Sequence, residues 1–326
     1  MKYQLLSLLC CPNCRADLTL SAVAEAGSEI ESGELICSGC RATYPIIHSI
    51  PRFVPPENYA STFGFQWNEF RRTQLDSHTG LPLSRERFLF STGWEPAELL
   101  GKRALDAGCG AGRFAEVALS MGVHLVALDY SSAVEACWQN LGPHPRLDVV
   151  QGDIYHLPFK RGSFDYTYCL GVLQHTPDVK MAFLSLPDQL RPGGKLAVDV
   201  YPKLFLNLLW PKYWLRPFTK NMSQVQLFRL VQWIVKYLLP VSLAIGRIPV
   251  VGRKLRYLIP VANHEPDFPL SPAQVREWAI LNTYDMLAPA HDHPQSARAV
   301  SDWFRQAGLK QVRVFRKGHL VGQGVM

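Results

Sequence analysis

Three glycines at alternate positions and three acids at set distances from them are the residues of this chain best spaced to do chemistry. The run Leu105-Asp106-Ala107-Gly108-Cys109-Gly110-Ala111-Gly112 places an acid just before the glycines. Asp129 ends the apolar run Val123–Leu128, and Asp153 closes Leu147–Gly152. A glycine turn of this kind lets a ligand come close to the backbone and exposes amides at a helix start. The spacing is D-x-G-x-G-x-G rather than the G-x-G-x-x-G that seats a pyrophosphate. An acid beside the turn repels a diphosphate but suits a cationic or zwitterionic ligand. Asp129, about 20 residues beyond the turn, is placed to accept hydrogen bonds from ribose hydroxyls. Each acid also has a plainer reading, as a turn or helix-cap carboxylate.

The second cluster with chemical potential is sulfur. Cys11-Pro12-Asn13-Cys14 and Cys37-Ser38-Gly39-Cys40 are two C-x2-C knuckles separated by 22 residues. Together they offer four thiolates to one tetrahedral ion, zinc being the natural choice. A segment of about 55 residues has too little core to stand without such a staple. Four thiolates leave no open position, so the ion would be structural. Two disulfides are the competing arrangement, with Cys10 and His48 as substitute ligands. Cys109, Cys137 and Cys169 read as ordinary buried thiols.

These residues need elements to hold them. The segments read as strand, glycine turn and helix, then strand and acid, then strand and acid. That is half of a doubly wound parallel α/β sheet with its ligand at the carboxyl ends of the strands. To these motifs are added Gly152-Asp153-Ile154, Leu157-Pro158-Phe159, Phe164-Asp165 and Arg191-Pro192-Gly193-Gly194. Over roughly residues 60–200 the combination resembles the class I S-adenosylmethionine-dependent methyltransferases, type 11-like. The ribbon, through Tyr44-Pro45-Ile46 and Ile50-Pro51-Arg52-Phe53, resembles the small Trm112-like zinc domain, which supports methyltransferases.

The resemblance implies a Rossmann-like seven-stranded methyltransferase sheet with an N-terminal zinc ribbon and a helical cap insertion. It implies S-adenosylmethionine as cofactor. Asp106 would orient the loop and the methionine amino end, and Gly108, Gly110 and Gly112 would admit the amino acid and sulfonium. Asp129 would bind the ribose, Asp153 and the Ile154 amide the adenine edge, with Leu170 also against the cofactor. A reducing cytosol follows, which favours zinc on Cys11, Cys14, Cys37 and Cys40 over disulfides.

The domains expected are a ribbon over 1–55, a helical linker and cofactor lid over 56–100, the core over 101–200, the insertion over 201–265, and the core's C-terminal part over 266–326. Pro55-Pro56-Glu57-Asn58 reads as a linker. Beyond it Phe63, Trp67 and Phe70 recur at helical spacing, with Gln66 and Arg71 as candidate pocket residues. No secretory signal is expected, nor any uninterrupted apolar stretch of about 18 residues.

The whole chain carries a net charge of +7, yet Tyr201–Ala262 holds ten Lys/Arg, no Asp or Glu and ten aromatics. Everything outside that segment is therefore net acidic. Ser223 should cap a helix with Leu227, Leu230, Val231, Ile234 and Leu238 in one stripe, stopped by Pro240. Three readings compete: a membrane interface or lipid-linked substrate site, an RNA grip, and a plain helical cap with solvated cations. Residues Ala297–Leu309 then read as a helix stopped at Gly308, followed by an antiparallel pair at Gln311–Phe315 and Leu320–Val325.

Methyl transfer to a hydroxyl needs alignment and removal of a proton. His175, after the fourth strand, and His291 and His293, in His291-Asp292-His293-Pro294, are the candidate bases. The reading is a cytoplasmic methyltransferase, possible also at the inner face of a membrane, acting on a small or lipid-linked acceptor. The alternatives are a ribosomal RNA base methyltransferase and a non-catalytic cofactor-binding partner. Residues 1–50 hold three basic residues against five acids, which argues against an RNA grip there.

Overall fold

A computed structural model describes residues 1–27, 29–55, 58–204, 210–265 and 267–326. Pro56 and Glu57 of the expected linker, and 205–209 of the insertion, lie outside the described residues. The N-terminal ribbon is a four-stranded antiparallel sheet of β1 (Leu18–Ala26), β2 (Glu29–Cys37), β3 (Thr43–Ile47) and β4 (Ile50–Pro51). The main sheet holds β5 (Arg103–Ala107), β6 (His124–Asp129), β7 (Leu147–Gln151), β8 (Phe164–Leu170), β9 (Leu190–Val200), β10 (Lys310–Lys317) and β11 (His319–Val325).

Its strand order is β10-β11-β9-β8-β5-β6-β7, parallel through β9, with β11 and β10 joined antiparallel. The order reverses beside β5, and a doubly wound sheet opens its crevice at that point, outside the strands' carboxyl ends. The apolar runs that gave the strands are buried on both faces, as Ala104, Leu105, Leu125, Ala127, Val149 and Val150 are all close to fully enclosed.

β7 is an edge strand, and an uncovered edge invites unwanted pairing. The ribbon covers it. Arg52 bridges Gln151 in parallel, Phe53 N donates to the Gln151 carbonyl, and Lys2 N donates to Asp148. Cys10 N donates to Pro158 O, Lys160 N to Leu8 O, and Arg15 reaches the carbonyls of Leu157 and Phe159. Leu5, Leu9, Leu18, Leu35, Phe159 and Phe164 share one core. The ribbon therefore holds the loop after β7, which forms one flank of the crevice.

The cap is built from the helices Pro211–Thr219, Gln224–Gly246 and Pro272–Leu287. Ser223 closes a capping box, as its sequence reading expected, and Ser271 closes another that the sequence reading did not single out. Leu227, Val231, Ile234, Val235 and Leu239 meet Val275, Ala279, Tyr284 and Leu287 in a core separate from the sheet's. Pro240 does not stop its helix, which runs on to Gly246. Pro240 and Lys236 are both exposed, so water can satisfy the carbonyl that proline leaves unbonded. The uninterrupted length is 23 residues, and its apolar 18-residue window has mean hydropathy 1.4. By length and composition alone this helix could cross a membrane, although Arg229 and Lys236 interrupt its apolar run. Last, the helix Ala297–Gln306 returns the chain to the sheet, ending before Gly308 at φ +74°.

Candidate functional site

The three glycines occupy backbone conformations that other residues resist. Gly108 stands at φ +97°, and a Cβ there would lie 2.4 Å from a Val172 methyl. Gly110, at φ +51°, would push a Cβ to 3.2 Å from Trp67 Nε1. The loop amides are already committed: Gly108 N and Cys109 N donate to Leu128 O, and Gly110 N to Asp129 Oδ2 at 2.9 Å. Such a loop has little left to offer a phosphate, and its charge is negative. It suits a ligand with a cationic centre.

Beyond the loop lies a cavity of about 760 Å³. Gly108, Gly110, Asp129, Ile154, Leu170 and His175 all line it. Asp129 Oδ1 accepts from the Ser131 amide at 2.8 Å and its hydroxyl at 2.7 Å, which leaves a free lone pair on Oδ2, where only the Gly110 amide donates. Burial raises its carboxyl, and those donors pull the other way.

Asp106, Gly112 and Asp153 stand behind the wall rather than on it. Asp106 is buried beneath the loop beside Tyr168; burial raises its carboxyl, and Oδ2 has no hydrogen-bond partner among the described residues. Gly112 opens the helix Arg113–Ser120. Asp153 caps the single turn Ile154–His156 by accepting from Tyr155 N at 2.9 Å.

His175 is buried between Phe63 and Tyr201, and its Nδ1 donates to the His291 carbonyl at 3.1 Å. Burial lowers its pKa, with Asp285, another lining residue, opposing. The His291 and His293 rings lie outside the lining, at 5.6 Å from one another. Their loop is fixed by Asp292, buried between Lys212 at 3.0 Å and Arg216 at 2.7 Å.

Several lining residues had no signal in the sequence. Arg87 pairs with the fully buried Asp199 at 2.8 Å. Burial works against the charged form of Asp199, yet Arg87 brings its carboxyl below the usual range. Arg113 follows the last glycine directly and donates to Ser84 Oγ and Gln74 Oε1, both at 2.9 Å. Burial, then Arg87, lowers it to about 9. His319, on β11, is lowered to about 4 by burial and then by Arg87. Gln66 was expected at the pocket and is there, with both amide atoms buried and unpartnered among the described residues. Arg71, expected with it, instead holds Asn140 at 2.6 Å.

The four ribbon sulfurs converge. The Sγ atoms of Cys11, Cys14, Cys37 and Cys40 all lie within 4.8 Å of one another. Cys11–Cys40 and Cys14–Cys37 are 3.6 and 3.4 Å apart. A tetrahedral zinc with bonds of about 2.3 Å asks for sulfurs about 3.8 Å apart, whereas a disulfide needs about 2.05 Å. The donor set fits structural zinc. Cys10 stands outside the cluster, and His48 is exposed near Glu135 at 3.8 Å.

A methyltransferase domain family model matches residues 105–198, and a Trm112p-like protein model matches residues 2–48. Residues 105–198 are thus similar to a methyltransferase domain and residues 2–48 to a Trm112p-like one. The ubiquinone biosynthesis O-methyltransferase of Marinobacter nauticus is 34% identical over 120 residues, 34% of this chain and 50% of that one. The sterol 24-C-methyltransferase of Schizosaccharomyces pombe is 33% identical over 103 residues, 30% of this chain and 27% of that one. The chain thus spans half or less of these two relatives' lengths. A solved complex of the Haloferax volcanii Trm112 methyltransferase activator with a methyltransferase aligns at 13% identity and TM-score 0.44, covering 81% of this chain and 96% of that one.

The match to the methyltransferase domain model ends within β9, so the cap and the terminal strand pair lie outside the match. The residues present fit S-adenosylmethionine on their own chemistry. A glycine cradle closed by Trp67, an acid with a free lone pair on Oδ2 at the end of β6, and an orphaned Gln66 amide face one cavity.

Proposed function

We propose that this chain transfers the methyl group of S-adenosylmethionine to a small or lipid-linked acceptor, by O- or C-methylation, with its zinc ribbon purely structural. One observation carries the reading. The glycine loop and Asp129 share a single cavity with the cap residues Trp210, Tyr257, Ile259 and Phe268. A cofactor on the loop and an acceptor under the cap would meet in one largely apolar volume.

When bound, the cofactor supplies a methyl group activated by its sulfonium. Gly108 and Gly110 would admit it, and Asp129 would accept from its ribose hydroxyls. Asp106 and Gly112 would support the loop from behind, and Asp153 would set the turn that presents Ile154 to the adenine. Leu170 would pack against it.

His175 is the base we assign. Its Nδ1–H is fixed on the His291 carbonyl, so Nε2 carries the lone pair. Burial keeps the ring neutral at pH 7, and Asp285 favours the imidazolium that forms when an acceptor hydroxyl gives up its proton. His291 and His293 would then act through the loop rather than on substrate.

The quinone and sterol pathways named for relatives support an apolar acceptor. The proposed location is the cytoplasm, with peripheral contact at the membrane's inner face. Incubating lysate fractions with methyl-labelled cofactor tests the reading. Label should enter organic-extractable small molecules, and Asp129→Ala should abolish it. Label in ribosomal RNA would overturn the acceptor class. Cofactor binding with no label in any fraction would overturn catalysis.

A further inference from the structure

A helix at a protein's surface normally turns polar residues outward. The helix Gln224–Gly246 turns large apolar side chains outward among its polar ones. Its inner stripe, Leu227, Val231, Ile234, Val235 and Leu239, is buried in the cap core. Its outer stripe, at helical spacing, is Val225, Arg229, Trp233, Lys236, Tyr237 and Val241, all exposed. Trp233 is 57% exposed and Tyr237 50%, the two rings lying 5.1 Å apart with Lys236 Nζ over Tyr237.

The pattern extends beyond this helix. Thirteen of the eighteen large apolar side chains exposed among the described residues fall between Trp210 and Leu258. Phe218 is 77% exposed and Val250 94%. Val250 also has φ +67°, an unfavourable conformation for a β-branched residue.

Charge decides what this face fits. Of the segment's cations, Lys212 and Arg216 are turned inward onto Asp292, and Arg256 onto Asp267. Lys220, Arg229, Lys236 and Lys254 are exposed, on a stretch without a single acid. Interfaces between proteins are depleted in lysine. Exposed tryptophan, tyrosine and aliphatic side chains set among lysine and arginine suit the headgroup layer of an anionic bilayer. The buried inner stripe keeps the helix on the cap, so it would lie in the surface plane rather than cross. Trp210 and Tyr257 stack at 5.9 Å, are both partly exposed, and both line the cavity.

We propose that the outer face of the cap docks on an anionic lipid bilayer, bringing the Trp210–Tyr257 edge of the cavity to the membrane so that an apolar acceptor enters from it. The route into the cavity rests on the methyl-transfer reading; the docking itself does not, and it is measured without catalysis.

The test is flotation of the zinc-loaded full chain with phosphatidylcholine vesicles, alone or with about 30% phosphatidylglycerol, near 0.1 M salt. The chain should float with the anionic vesicles and stay behind with the neutral ones. Each basic side chain at such a surface is worth about fivefold in partitioning. The variant Lys220→Gln, Arg229→Gln, Lys236→Gln, Lys254→Gln should therefore bind several hundredfold more weakly. Brominated lipid should quench tryptophan fluorescence in the wild type, and Trp233→Phe should remove part of that quenching. Retained binding of S-adenosylhomocysteine shows that the variants are folded. Equal partitioning onto neutral vesicles, an unaffected quadruple variant, or absence of quenching would overturn the proposal. So would a dimer in solution that Trp233→Ser dissociates, because a second copy would then cover the face.

Discussion

Replacing Gly108 with alanine tests whether the loop geometry, rather than its acids alone, makes the cofactor site. The new Cβ would meet two Val172 methyls at 2.4 and 2.7 Å and Val172 Cβ at 3.0 Å. Val172 must move, and it begins the segment that carries His175 toward the cavity. Overpacking of this kind costs about 1–3 kcal/mol. A non-glycine residue held at positive φ adds about 1–2 kcal/mol. The sum, about 2–5 kcal/mol, is drawn from stability, cofactor affinity or both. Thermal melts and calorimetry with S-adenosylhomocysteine divide it, at about 2–4 °C per kcal/mol in the melt. The cycle with Val172→Ala separates the two causes. It should return the steric part, about 1–3 kcal/mol, and leave the conformational part lost. Wild-type affinity and melting in Gly108→Ala, or no rescue by Val172→Ala, would refute the reasoning.

Other consequences are equally open to measurement. Removing the metal with a chelator, or making Cys14→Ser, should release one zinc per chain. Hydrogen exchange should then rise both in β1–β4 and across 147–160, since the ribbon covers that edge; unchanged protection there would count against the covering role. Arg87→Leu strands the buried Asp199 carboxylate and should cost about 3–5 kcal/mol, read as a melting loss of about 6–20 °C. Arg87→Lys should recover part of it, and unaltered melting would contradict the pairing.

For pH, His319 is neutral in the fold with its pKa near 4, below the 6.5 of the unfolded chain. Its contribution is present above pH 6.5 and fades as the pH falls toward 4, because the unfolded chain takes up the proton first. The ceiling is about 3 kcal/mol at 1.36 kcal/mol per unit, reduced because the ring is partly exposed. Denaturant midpoints should fall over that interval in the wild type and flatten in His319→Gln.

Residues whose placement depends on local chain geometry were legible before any coordinates. An acid at a strand end, glycines in a tight turn, and paired C-x2-C knuckles each declare themselves within a few residues. Asp129, Gly108, Gly110 and the four ribbon cysteines needed only that. Side chains delivered across the fold were silent. Arg87 comes from the helix Leu83–Thr92, and His319 from β11, more than two hundred residues away. Nothing local marks either as facing the same cavity. Asp153 shows the reverse problem, a strand-end acid that the structure uses first as a cap. The Pro240 stop failed because proline is excluded from a helix only where its missing hydrogen bond cannot be replaced, and here solvent is at hand. The cap's cations looked alike in sequence. Burial then divided them into ion pairs with Asp292 and Asp267 and an exposed set.

Titration calorimetry of the zinc-loaded chain with S-adenosylmethionine and S-adenosylhomocysteine, beside the Asp129→Ala variant, weighs the whole interpretation. One site per chain should saturate with either nucleoside, and the variant should lose most of that affinity while still folding, with a cooperative melt. Absence of heat with both compounds in folded protein would contradict it.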